Sequence, residues 1–117
     1  TVTATPVAGT QYSFVPAATT NALSVKASAG SLLTMVVSNV TASTIYVKLY
    51  NKASAPTVGT DVPVMTFAVE AGKTLPVTFG ELGSRFLTGI AIAVTAGAAA
   101  TDTAAVTVGA QIHITHL

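Results

Sequence analysis

The side chains that could carry chemistry are few and scattered. His113 and His116 occur in His-Ile-Thr-His. On a strand, a spacing of three puts them on opposite faces, unlike the i, i+4 pair with which a helix binds zinc. The acids are Asp61, Glu70, Glu81 and Asp102. Calcium requires several convergent oxygens, and there is no Asp-x-Asp cluster. Asp61 and Asp102 fall in separate loops that can approach each other only at one end of a sandwich. Glu70 and Glu81 flank turns, and nothing pairs two carboxylates as a glycosidase does. Ser84 sits between Gly83 and Arg85, with no Gly-x-Ser-x-Gly elbow around it. Gly80 and Gly83 make neither a dinucleotide fingerprint nor a P-loop. Cysteine is absent, which removes disulfides, thiolate metal sites and thiol nucleophiles. The expectation is a protein that is not an enzyme, with no metal and no cofactor.

Binding chemistry has one better candidate. In Ile45-Tyr-Val-Lys-Leu-Tyr50, the aliphatic Ile45, Val47 and Leu49 alternate with Tyr46, Lys48 and Tyr50. This period of two marks a half-buried strand. Its second face carries two tyrosines and a lysine. Tyrosine is enriched at interfaces because a large apolar ring ends in a polar group. Tyr46, Lys48 and Tyr50 are therefore candidate interface residues. The same rings could stack on sugars, which makes a carbohydrate-binding module the alternative from another class.

The elements around this strand are short. Tyr12-Ser-Phe14-Val and Leu23 to Lys26 read as strands. Leu32 to Val37 follows, with Leu33, Met35 and Val37 expected on one face and Leu32 and Val36 on the other. A long polar loop from Lys52 to Pro63 is broken by Pro56 and Gly59. Val64 to Val69 and Thr74 to Phe79 are the next strands, joined by Glu70-Ala-Gly72-Lys73. Arg85 to Thr95 reads as one longer strand, with Ile90, Ile92 and Val94 on one side and Gly89, Ala91 and Ala93 on the other. Small residues on one face imply close packing against another backbone. Ala96 to Ala105 reads as a loop around Asp102. Ala110 to Leu117 is the last strand, with Ile112 and Ile114 inward and Gln111, His113 and Thr115 outward. The expected core adds Leu75, Val77 and Phe79 to the aliphatic residues of these strands.

About eight strands with turn signals between them and no convincing amphipathic helix predict an all-β fold. Two long connections favour a jelly-roll-like antiparallel sandwich. The chain of 117 residues is expected to form one domain, residues 12–117, preceded by an extended arm, residues 1–11. The start, Thr-Val-Thr-Ala-Thr, has no basic n-region or apolar h-region and is not read as a signal peptide.

Charge is sparse. There are five basic and four acidic side chains, 8% of the chain, where ordinary domains have about a quarter. Interface cores are depleted of charge, so much of this surface is expected to be buried in an assembly. A net charge of +1 gives no basis for nucleic-acid binding, which needs clustered Lys and Arg. No apolar run is long enough to span a bilayer as a helix.

Two segments carry a resemblance. They are Ile45-Tyr-Val-Lys-Leu-Tyr-Asn-Lys-Ala-Ser-Ala-Pro-Thr-Val-Gly-Thr-Asp-Val-Pro-Val64 and Arg85-Phe-Leu-Thr-Gly-Ile-Ala-Ile-Ala-Val-Thr-Ala-Gly-Ala, the latter followed by Thr101-Asp102-Thr103. Together they resemble small virion proteins of tailed bacteriophages and prophages. The resemblance runs from about Leu23 to the C-terminus and brings no functional residues with it. It implies a β-sandwich added to the particle as a capsid decoration or cement protein, with the major capsid protein as partner. A head-fibre, neck or tail component is the neighbouring reading. A homo-oligomer is expected, because open sheet edges need cover and charge is scarce; that it is a trimer is what the resemblance implies. The arm, with Thr1, Val2 and Val7 as contact residues, is the expected means, since exchanging such a segment is a low-cost route to association.

Overall fold

The structure, a computed structural model, describes residues 9–117. The expected contacts through Thr1, Val2 and Val7 lie outside the described residues. Nine strands follow one another: β1 (Thr10–Phe14), β2 (Leu23–Lys26), β3 (Gly30–Asn39), β4 (Ile45–Asn51), β5 (Met65–Val69), β6 (Lys73–Thr78), β7 (Ser84–Phe86), β8 (Ile90–Thr95) and β9 (Ala110–His116). No helix occurs among the described residues.

The strands form two antiparallel sheets. Sheet A runs β1-β9-β3-β6, and the short β7 continues the β6 edge by pairing with the first residues of β3. Sheet B runs β2-β8-β4-β5. Apart from β7, the pairings β1·β9, β2·β8, β3·β6 and β4·β5 are nested: the first half of the chain pairs with the second half in reverse. A long hairpin rolled over once produces this order, and the fold is a jelly-roll sandwich.

Alternation decides what lies between the sheets. Ile45, Val47 and Leu49 of β4, Ile90, Ile92 and Val94 of β8, and Ile112 and Ile114 of β9 are all buried in one cluster. Leu75, Val77 and Phe79 belong to it but remain half-buried, because β6 is an edge strand with a neighbour on one side only.

Three expectations need correction. Alternation alone placed Leu33 with Met35 and Val37. A bulge between Leu32 and Thr34 shifts the register, so Leu32, Met35 and Val37 point inward. An extra residue in one strand reverses which side chains share a face. Arg85 to Thr95 is not one strand. Phe86 ends β7 in sheet A and Ile90 begins β8 in sheet B. Between them Gly89 crosses so close to other backbone that a Cβ there would lie 2.6–2.7 Å from the Lys52 carbonyl, the Ala53 Cα and the Lys26 carbonyl. Asn51 holds the crossing, accepting hydrogen bonds from Thr88 N (2.8 Å) and Gly89 N (3.4 Å). Finally, the arm does not reach Gln11: Thr10 and Gln11 are already in β1, opposite His116 and Thr115.

Candidate functional site

The two outer faces of the sandwich differ. Sheet B's outer face is built from Tyr46, Lys48 and Tyr50 of β4, which lie opposite Thr95, Ala93 and Ala91 of β8. Its methyl-sized side chains leave room, and the chain fills it with its own loops. Residues 52–64 leave β4 and residues 96–109 leave β8. Val58 packs on a cluster of Tyr50, Ala91 and Ala93. The two loops meet where Gly59 lies against Thr103, whose methyl would be 2.8 Å from an added Cβ.

Lys48 is fully buried under this cover. Its Nζ donates to the carbonyl oxygens of Ala99 (2.6 Å) and Asp102 (3.4 Å). Burial pushes its pKa down, against a smaller opposing pull from Asp102. The ammonium thus holds a loop about fifty residues away in sequence onto the sheet. Tyr50 is 1% exposed, and its hydroxyl has no hydrogen-bond partner among the described residues. Burial pushes the Tyr50 pKa up, and the charge of Asp61 adds to this.

Each covering loop is braced internally. Ala96 N donates to Ala104 O (2.9 Å), and the Asp102 carboxylate accepts from Ala104 N (2.8 Å). In the other loop, Asp61 accepts from Lys52 Nζ (2.5 Å) and Thr57 N (2.7 Å). These hydrogen bonds, Lys52 first, hold the Asp61 carboxyl below the usual carboxylate range. The two loop aspartates are therefore employed separately, and no cluster of three or more possible metal ligands occurs among the described residues.

The expected interface at Tyr46, Lys48 and Tyr50 is consequently corrected. The three share a face, as the alternation required, but only Tyr46 keeps partial exposure. The small side chains of Ala91 and Ala93 did signal close packing, and what packs there is Tyr50 and, from the chain's own loop, Val58.

Among the described residues, sheet A's outer face has no such cover. Across β1, β9, β3 and β6 its rows read Gln11, Thr115, Thr34, Thr78, then Ser13, His113, Val36, Pro76, then Gln111, Ser38, Thr74. All are exposed or half-buried. His113 is the one ionisable side chain in these rows. Its Nδ1 lies 2.9 Å from Ser13 Oγ. That pair stands on the open sheet surface, with Ser13 on the edge strand β1 and His113 on β9. His113 and Gln111 also border a shallow groove of about 300 Å³ beside Ser13, Phe14 and Val15. His116 points the other way and is 6% exposed, so the two histidines lie on opposite faces.

Sequence reasoning had identified Gln111, His113 and Thr115 as outward but did not single out this face. Its signal was present in the alternating Thr, Ser and Gln residues of four strands. Joining them required the order β1-β9-β3-β6, in which sequence neighbours are not spatial neighbours. No protein-family model matches the chain, and no curated protein matches it.

Proposed function

We propose that this chain is a structural virion protein of a tailed phage, which binds the assembled capsid and reinforces it as a decoration or cement protein. The observation that carries the reading is the outer face of sheet A: three rows across four strands with a single titratable group. A broad sheet face whose one charged side chain, Arg85 of β7, lies at its margin suits the core of an interface. The two segments that resemble phage virion proteins support the same conclusion. On the particle, this face lies across neighbouring copies of the major capsid protein, and copies of the chain meet one another. Binding only the assembled shell stabilises it by mass action. A position in the head fibre, neck or tail is the nearest variant. The carbohydrate-binding alternative loses its aromatic platform, because Tyr50 is covered.

The test is cryo-EM of the intact particle together with co-sedimentation of the chain with assembled shells. Density over the capsid surface, and loss of co-sedimentation in Val36→Lys/Ser38→Lys, are expected. Density confined to the tail tip defeats the capsid assignment.

A further inference from the structure

The four edges of the sandwich are not equally protected. Edge strands offer unpaired N–H and C=O groups to any passing strand, and proteins guard them with charge, proline or bulges. In sheet A, β6 carries Lys73 and Pro76, which has no N–H, and β7 beside it carries Arg85. In sheet B, β2 is four residues long, ends on Lys26 and is broken by a bulge between Ser24 and Lys26. The opposite edge of sheet B is β5, Met65-Thr-Phe-Ala-Val69. It has no charge, proline, glycine or bulge, and it pairs with β4 in unbroken register. The remaining edge, β1, is also uncharged, but of its inward positions only Tyr12 and Phe14 are apolar, where β5 has Met65, Phe67 and Val69. Among the described residues, β5 is flanked in sequence by a three-residue turn to β6 and the loop from β4, and no strand pairs with its outer edge.

β5 is also self-complementary. Met65, Phe67 and Val69 point inward while Thr66 and Ala68 are exposed on the outer face. An antiparallel partner of the same sequence, centred on Phe67, sets Met65 against Val69, Thr66 against Ala68 and Phe67 against Phe67. Every inward residue then meets an inward residue, as a continuous pleat demands. Met65 and Phe67 are only half-buried in the single chain, so the added strand covers apolar surface as well as backbone. The neighbouring groove between β5 and β6, about 200 Å³ and bordered by Glu70 and Lys73, leaves this flank open.

We infer that β5 pairs with β5 of a second copy about a two-fold axis, fusing the two B sheets into one of eight strands. This rests on the self-association part of the proposed function and not on capsid binding. Its symmetry is two-fold, where the sequence reading expected a trimer, because an isologous contact joins a patch to itself. A pair of five-residue strands is about 17 Å long. Taken about 10 Å deep, such a seam covers roughly 170 Å², small beside a stable interface of roughly 800 Å² per partner, so the dimer forms in the micromolar range or above.

Sedimentation equilibrium of the full chain tests this with two charge variants. Thr66 and Ala68 are exposed, and both variants carry the same Glu at position 66, so its effect within one chain, beside Lys48 across the β4·β5 ladder, is common to the two. Thr66→Glu/Ala68→Glu places like charges opposite each other at two points of the seam and should raise the dissociation constant roughly tenfold. Thr66→Glu/Ala68→Lys places opposite charges there and should restore association. A wild-type monomer at several hundred micromolar overturns the inference. So does a dimer indifferent to the first variant, or one abolished equally by both. Because the particle is absent from these measurements, their outcome is separate from that of capsid binding.

Discussion

The outer faces of the two sheets start from the same kind of strand and end differently. In sheet B the alternate residues are Tyr46, Lys48 and Tyr50 beside Ala91 and Ala93. In sheet A they are Thr, Ser, Gln, Val36, Pro76 and His113. Large side chains next to methyl groups form a relief into which a loop can settle, and the loops after β4 and β8 do so. A level field of Thr and Ser offers no such relief, and among the described residues its rows stay exposed or half-buried. A face that looks ready for a partner, with tyrosine and lysine, is thus consumed by the fold. The plainer face remains available.

This contrast can be probed by substitution. The largest effect belongs to the layer that both faces share. Ile92→Ala or Leu49→Ala removes a fully buried side chain and should cost about 2–5 kcal/mol, read from urea unfolding midpoints. An indifferent midpoint would mean that the inward set is misassigned.

A smaller effect separates the faces directly. Ala93→Leu inserts bulk between β8 and the covering loops, where Ala93 has no exposure, and should cost about 1–3 kcal/mol. Val36→Leu, at a position 36% exposed on sheet A, should stay within about 0.5 kcal/mol. Equal costs would erase the distinction between a covered and an open face.

The smallest effect isolates the lysine. Lys48→Met keeps most of the stem and leaves the Ala99 and Asp102 carbonyls without their donor. Those carbonyls sit near the surface and can recover water, so the expected loss is about 1 kcal/mol. Hydrogen exchange should quicken in residues 96–105 and not in β9. The pH dependence is more specific. The folded-state pKa of Lys48 lies below its ordinary 10.5, so between the two values the unfolded chain binds more protons. Stability contributed by this group therefore rises with pH across that window. Tyr50 acts in the opposite sense. Its folded pKa lies above the ordinary 10.0, so its contribution falls as pH climbs past 10.0. Lys48→Met should remove the rising part of the alkaline stability profile, and Tyr50→Phe the falling part. A wild-type profile that Lys48→Met leaves unchanged would show that the ammonium is not held as described.

Much of the fold was legible because its information is local. Eight of the strands, the inward aliphatic residues and the opposed histidines all follow from the pleat, in which neighbours point opposite ways. The misread positions are those where a distant strand intervened. The bulge at Leu33 is set by how β3 meets β9. The break at Leu87-Thr88-Gly89 is set by Asn51 and the backbone of Lys52. The candidate site was half legible. Tyr46, Lys48 and Tyr50 do share the face opposite the core, and the alanines beside them pointed to a close-packed neighbour.

The sequence by itself determined an all-β sandwich, most of its aliphatic core, and which side chains the regular strands, β3 excepted, turn away from that core. These are properties of a two-residue repeat and of sparse charge, readable one segment at a time. Only the tertiary structure decided which outward face stays outside. Covering sheet B depends on a loop at 96–105 closing over β4 and on one ammonium meeting carbonyls 51 and 54 residues along the chain. Contacts of that kind leave no period in the sequence, because they are fixed by how the sheets stack and where their connecting loops must pass.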